Sequence, residues 1–133
     1  MRPLIATIIA AAAVAAAPAA SAKEKLTGEQ QLEKLLDGRV AGEPQNCIQL
    51  TGSNSTTIID GTAIVYRIGS TLWVNRPKGG AESLDDDDIL VTKLTGSQLC
   101  SIDTVQLRDR TSQMYSGFVS LGEFVPYRRP KAE

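Results

Sequence analysis

The chain has no histidine in 133 residues. That absence removes Ser-His-Asp triads, Cys-His pairs and histidine-ligated metal centres. Cysteine is nearly absent too: there are two, Cys47 and Cys100, without the Cys-x-x-Cys spacing that tunes a reactive thiolate. The sequence holds no glycine-rich phosphate loop, no dinucleotide fingerprint and no internal repeat. Neither sign of charge dominates, with 14 Lys and Arg against 15 Asp and Glu. So balanced a chain offers no electrostatic footprint for nucleic acid or an anionic membrane. Aromatic residues make up only 5%.

The one long apolar run stands at the start. Arg2 precedes an apolar stretch from Leu4 to Ala17, Ala20-Ser21-Ala22 is a small-x-small cleavage pattern, and Lys23 opens a polar region. This order predicts a secretory signal peptide over residues 1–22. The run approaches the length of a transmembrane anchor, but Pro18 breaks it and alanine is a weak membrane residue. No cysteine follows the cleavage pattern to carry a lipid. Removing 22 of the 133 residues leaves 111, enough for one domain with one modest core and no stable membrane anchor.

The strongest structural signal is the stretch Thr62–Arg76. Two β-branched and aromatic runs flank Gly69-Ser70, which predicts a hairpin with a two-residue turn and glycine at positive φ. That register sets Tyr66 opposite Trp73, and Val65 opposite Val74 on the other face. The Tyr–Trp pair is the largest cross-strand contact the sequence offers, worth ~0.5–1 kcal/mol beyond burial. Upstream, Thr27 and Gln30 form a capping box. Leu32, Leu35 and Leu36 follow at helical spacing and Gly38 supplies a stop, so a short helix is predicted over 28–37.

Residues 23–45 then comprise that helix and a connector, and 46–127 a β domain. Within it, 47–51 reads as a first strand, 52–56 as a polar turn and 57–59 as a second strand. Residues 60–61 read as a bulge or turn, and 81–88 as a loop. Further strands are predicted over 89–94, 99–107 and 117–127, the last bent at Gly122, with a charged turn at 108–112 and a polar tail at 128–133. About six short strands separated by turn signals predict a mainly β fold. It is a small antiparallel sheet curled into a barrel or sandwich, with one short N-terminal helix. An even cysteine count in an exported chain predicts a Cys47–Cys100 disulfide tying the first strand to a late one.

Several local patterns recur together: Cys-Ile-x-Leu at 47–50, Ile-Val-Tyr-Arg at 64–67 with Trp-Val-Asn-Arg at 73–76, Leu-Cys-x-x-Asp-Thr at 99–104, and Leu-Gly-x-Phe-x-Pro-Tyr at 121–127. In this order the chain resembles a family of small exported proteobacterial proteins described as a domain of unknown function. The resemblance spans about residues 30–127. It implies an exported, disulfide-bonded domain and implies no activity, so no catalytic residue is carried over.

The most unusual local feature is Asp85-Asp86-Asp87-Asp88. Four adjacent carboxylates repel one another, and Ca²⁺ would relieve that. Yet neighbours in sequence cannot all point at one ion, and the two-residue ligand spacing of an EF-type loop is missing. A solvated acidic turn with one Asp capping an amide is therefore expected, with no cofactor. Without histidine, paired carboxylates remain a route to glycoside hydrolysis, and Asp60, Asp103, Asp109 and Glu123 are the isolated candidates. Nothing in the sequence brings two of them together, and a structural ion pair is expected for Asp103. Arg76, Lys78, Arg108, Arg110, Arg128 and Arg129 fall at strand ends and in the tail. Gathered at one end of the sheet they would suit an anionic glycan or an acidic patch. Tyr127, after Pro126, is either a partner anchor or a core closure.

The expectation is thus an exported, periplasmic or secreted, non-enzymatic module that binds an envelope protein or glycan. The alternatives are an inhibitor of a secreted hydrolase, inserting a rigid loop from 77–88, a carboxylate-dependent hydrolase of envelope glycans, and a Ca²⁺-stabilised module.

Overall fold

A computed structural model describes residues 25–94 and 96–130, side chains at 52–54 excepted. The expected signal peptide at 1–22 lies outside the described residues. No described helix is long and apolar enough to cross a membrane.

The chain enters through the capping box. The Gln30 amide donates to Thr27 Oγ1 at 3.2 Å and the Thr27 amide to Gln30 Oε1 at 3.0 Å, so two orphan donors of the first turn are satisfied reciprocally. Helix α1 (Gly28–Leu35) is shorter than the predicted 28–37, because Leu36 already leaves helical geometry as the C-cap. Gly38 follows at φ +75°, a left-handed turn that glycine adopts without a Cβ penalty. Leu32 is buried while Leu35 is exposed, so only part of the leucine stripe is used.

Ten strands follow among the described residues: β1 (Val40–Ala41), β2 (Cys47–Gln49), β3 (Ser53–Ile59), β4 (Ala63–Ile68), β5 (Thr71–Asn75), β6 (Asp88–Thr92), β7 (Gln98–Cys100), β8 (Thr104–Asp109), β9 (Tyr115–Ser120) and β10 (Phe124–Arg128). They form a five-stranded sheet in the order β1-β10-β5-β4-β3, a three-stranded sheet β6-β8-β9 and a two-stranded pair β2-β7, all antiparallel. The architecture is sandwich-like and mainly β, and no closed barrel forms among the described residues.

The β4–β5 hairpin has the register its residues predict, with Tyr66 opposite Trp73 and Val65 opposite Val74. Gly69 takes φ +60° in the turn. Residues 60–62 form a turn between β3 and β4, with Ile59 opposite Ala63. Five expectations need correction. Residues 53–56 belong to β3, because pairing with β4 overrides their turn composition. The predicted strand 99–107 is two strands, because the Asp103 carboxylate accepts from the Cys100 amide at 2.8 Å and closes a turn at 101–103. Asp103 is therefore a backbone cap and, among the described residues, not half of an ion pair. The predicted strand 117–127 is also two, β9 and β10, in different sheets. Finally, Arg128 is in β10 and not in a tail.

Two apolar layers result. The main core lies between the sheets: Ile64 and Tyr66 of β4 and Phe124 of β10 meet Val105, Leu107 and Val119 of β8 and β9, with Ile48, Leu84, Leu99 and Leu121. Tyr66 and Phe124 meet edge to face at 6.0 Å. A smaller layer lies under α1, where Leu32 covers Ile59, Ala63, Val65, Leu72 and Val74, and Leu36 and Tyr127 flank it. Tyr127 thus closes a core layer.

Among the described residues the buried Tyr66 hydroxyl has no hydrogen-bond partner, and burial pushes its pKa up. An unpaired buried hydroxyl costs about 1–3 kcal/mol. Tyr66→Phe should therefore be neutral or stabilise by about 1 kcal/mol, since lost ring contacts are nil. Urea unfolding reads this directly, and a loss of stability would mean that the hydroxyl is partnered.

Candidate functional site

The basic candidates fall in three places. Arg76, Lys78 and Tyr127 come together beside α1. Arg76 forks onto Glu29, at 2.5 Å to Oε1 and 3.1 Å to Oε2. This hydrogen-bonded pair holds the Glu29 carboxyl below its usual range and raises the Arg76 guanidinium. A furrow of about 550 Å³ opens on one side of Arg76 and Tyr127, toward Arg39 and α1. Another, of about 420 Å³, opens on the other side, toward Lys78, Glu123 and Val125. Arg76 is thus committed to Glu29 of α1. Arg128 stacks its guanidinium 5.7 Å from the Trp73 ring centroid. Arg108 lies in β8 and Arg110 just beyond it, away from Arg76 and Lys78, so the condition for an anionic-glycan site, all these cations at one end of the sheet, is not met.

The acidic run is not one ligand set. Carboxylate oxygens of Asp60, Asp85 and Asp86 lie within 4.8 Å of one another. Asp88 instead turns inward, buried, where Ser116 Oγ donates to it at 2.8 Å. Asp60 accepts from the Asp86 amide at 2.6 Å and Asp85 from the Asp87 amide at 2.9 Å, the capping expected of an acidic turn. The Asp60 charge raises the Asp86 carboxyl above its ordinary range. Of the carboxylates considered for hydrolysis, Asp109 caps the turn after β8, accepting from the Thr111 and Ser112 amides at 2.9 and 2.8 Å. Those bonds hold its pKa down. Asp60, Asp103 and Asp109 thus each serve a separate backbone turn, and Glu123 sits on the rim of the furrow beside Lys78. Of the segment 77–88, considered as an inserting loop, the first part lies along β9 and the last residue already belongs to β6. Lys78 donates its amide to the Ser120 carbonyl, Gly79 bridges Ser120, and Leu84 is buried in the core.

The most distinctive surface is the outer face of β6-β8-β9. Val105 and Leu107 of β8 point into the core, so Gln106 and Arg108 point out. The register then builds two cross-strand rows: Val91–Gln106–Phe118 and Ile89–Arg108–Tyr115. Tyr115 shares a face with Phe118 because the pairing slips between Leu107 and Arg108, a bulge that absorbs Ser116 and re-aims the strand. Phe118 is 52% exposed and Tyr115 56%, and no other aromatic is among the exposed large side chains. Met114 lies beyond Tyr115 at one end and is exposed. At the other end Ile102, also exposed, borders a hollow of about 200 Å³ with Val91, Gln106 and Thr104. The Arg108 guanidinium donates to the Gln113 carbonyl at 3.2 Å, which fixes its place in the row.

Of this face, Arg108 alone was singled out by the sequence. Tyr115 and Phe118 were missed because a strand with a bulge breaks the period of two on which such a reading depends. The available signal was scarcity: in a chain so poor in aromatics, two within four residues of one another next to a charged turn stand out.

Comparison with protein-family models, with curated proteins and with solved structures finds no match to this chain.

Proposed function

We propose that this is an exported, non-enzymatic binding module that docks a partner protein on the outer face of β6-β8-β9. The observation that carries the reading is the pair of exposed aromatics, Phe118 and Tyr115, aligned by a bulge with Val91 and Ile89. Soluble surfaces scatter apolar side chains singly; contiguous ones mark contact sites. Tyr, Phe, Met and Arg are the side chains enriched in protein interfaces, and this face carries all four. Export is supported by the signal-like N-terminus and by the Cys47–Cys100 disulfide, a bond suited to an oxidising compartment. Three of the four carboxylates considered for hydrolysis, Asp60, Asp103 and Asp109, are occupied as turn caps, which also favours binding over catalysis.

The test compares disulfide-intact protein with a Tyr115→Ser, Phe118→Ser variant as baits for cell-envelope extract. Both side chains point away from the core, so circular dichroism should not change. A protein retained by the first and held about 30-fold more weakly by the second, a loss of ~2 kcal/mol, is the expected result for two central aromatics. Equal retention by both baits would place the contact elsewhere. Failure to retain any protein, with glycan retained instead, would overturn the protein-partner reading.

A further inference from the structure

The sandwich is open on one side, and its two edges there differ from the others. In the five-stranded sheet, the β1 edge is two residues long, whereas β3 at the opposite edge is seven, the longest strand. In the three-stranded sheet, the β9 edge is covered: the Lys78 amide donates to the Ser120 carbonyl at 2.8 Å and the Ser120 amide to the Gly79 carbonyl at 2.9 Å. Its other edge, β6, pairs only with β8 among the described residues. Among the described residues, no backbone bond reaches 55–58 or 89–92 from outside their own sheets.

These two free edges border one cleft of about 360 Å³, lined by Thr56 and Ile58 from β3 and Ile89 and Leu90 from β6. Ile58 and Leu90 are part-buried against the main core, so the floor of the cleft is apolar. Proteins blunt exposed edges with charge, proline or short length. The Ser53–Ile59 sequence has no charged residue and no proline. It is the kind of edge that accepts an added strand.

We propose that this cleft takes an extended segment of a partner protein as an added strand, antiparallel to β3, with basic residues at the segment's N-terminal end. Charge complementarity selects that occupant. β3 leaves and β6 enters at the same end of the cleft, where the Gly61 amide donates to the Leu84 carbonyl at 3.1 Å. There Asp60, Asp85 and Asp86 crowd together, and Asp86 and Asp88 line the cleft with Arg110 as the one cation on its wall. The mutual repulsion is expressed in the raised Asp86 carboxyl. An antiparallel strand begins where β3 ends, so its first residues meet those carboxylates. The cleft adjoins the outer face at Ile89 but contains neither Tyr115 nor Phe118, and its occupant needs main-chain pairing rather than aromatic anchors.

The test uses fluorescence anisotropy with disulfide-intact protein and a labelled eight-residue peptide, two lysines followed by alternating valine and threonine. Binding is expected, and the same peptide with glutamates at its start, or with the lysines moved to its end, should bind at least ten-fold more weakly. Proline at the central position, which removes a ladder donor, should abolish binding. Asp85→Asn with Asp86→Asn, both exposed, should reduce the lysine preference while leaving the fold intact by circular dichroism. The double Ser variant of Tyr115 and Phe118 should bind the peptide unchanged. Absence of binding at millimolar peptide, survival of the proline peptide, or indifference to the position of the lysines would overturn the proposal. So would a dimer of this chain, seen by sedimentation, that the peptide competes away, since β3 would then pair with a second copy.

Discussion

Replacing Cys47 and Cys100 together by serine should cost the folded protein about 4 kcal/mol, the loop-closure value for a bridge of this span. The two cysteines are 53 positions apart and directly opposed in the β2-β7 pair, with Ile48 opposite Leu99 and Gln49 opposite Gln98. A two-stranded pair of this size is marginal by itself. Its apolar pair, Ile48 and Leu99, is nevertheless buried in the main core. The bridge therefore stabilises in two ways: it shortens the unfolded chain, and it keeps a weak ribbon docked where it fills the core. Urea unfolding of oxidised protein and the double serine variant measures the sum. With m near 1–2 kcal/mol/M for a domain of this size, the midpoint should fall by roughly 2–4 M. A loss under ~1 kcal/mol would mean that core packing closes the loop without the bond. Hydrogen exchange separates the two effects, since loss of docking would release the β2 and β7 amides before those of β4 and β5.

The parts of the fold that could be read in advance are those specified by neighbours in sequence. The Thr27–Gln30 box and the Gly69 turn each use residues within a few positions of one another, and the β4–β5 register follows from that turn. The Cys47–Cys100 pairing was readable by a different logic, since two cysteines allow one connectivity. What escaped was decided at a distance. β1 and β2 are too short to show any period. The ends of β7 and β8 are set by one carboxylate, Asp103, reaching back to the Cys100 amide. In the sequence, Asp103 is indistinguishable from a strand residue. The candidate surface was hidden for the same reason. Its aromatics are aligned by a bulge, and its rows run across β6, β8 and β9, which are separated by turns in the chain. The free edges of β3 and β6 are properties of strand order, and no local pattern encodes strand order.

The residue with the largest unforeseen role is Asn75. It ends β5, has no exposed surface, and clamps the link between the two main sheets. Its Nδ2 donates to the Gly122 carbonyl at 2.7 Å and its Oδ1 accepts from the Gly122 amide at 2.9 Å. Position 122 also admits no Cβ, which would run into the Arg76 carbonyl oxygen. Asn75→Ala should leave both Gly122 groups unpaired in a dry site and cost roughly 3 kcal/mol, since each such group costs about 1–3 kcal/mol. Asn75→Asp separates the two bonds. A protonated carboxyl can still donate and accept; an ionised one can only accept, and burial of its charge is costly. Burial raises the folded-state pKa of that carboxyl above its unfolded value. The variant therefore holds its stability at acid pH and loses it as pH rises through the raised value. The gap between Asn75→Asp and the native protein should widen from pH 4 to pH 7, while the gap for Asn75→Ala stays flat. If both profiles are flat, the clamp is wet and Asn75 is not what holds β9 against β10. If they diverge, the link that sets the aromatic face of one sheet relative to the other is fixed by this one side chain.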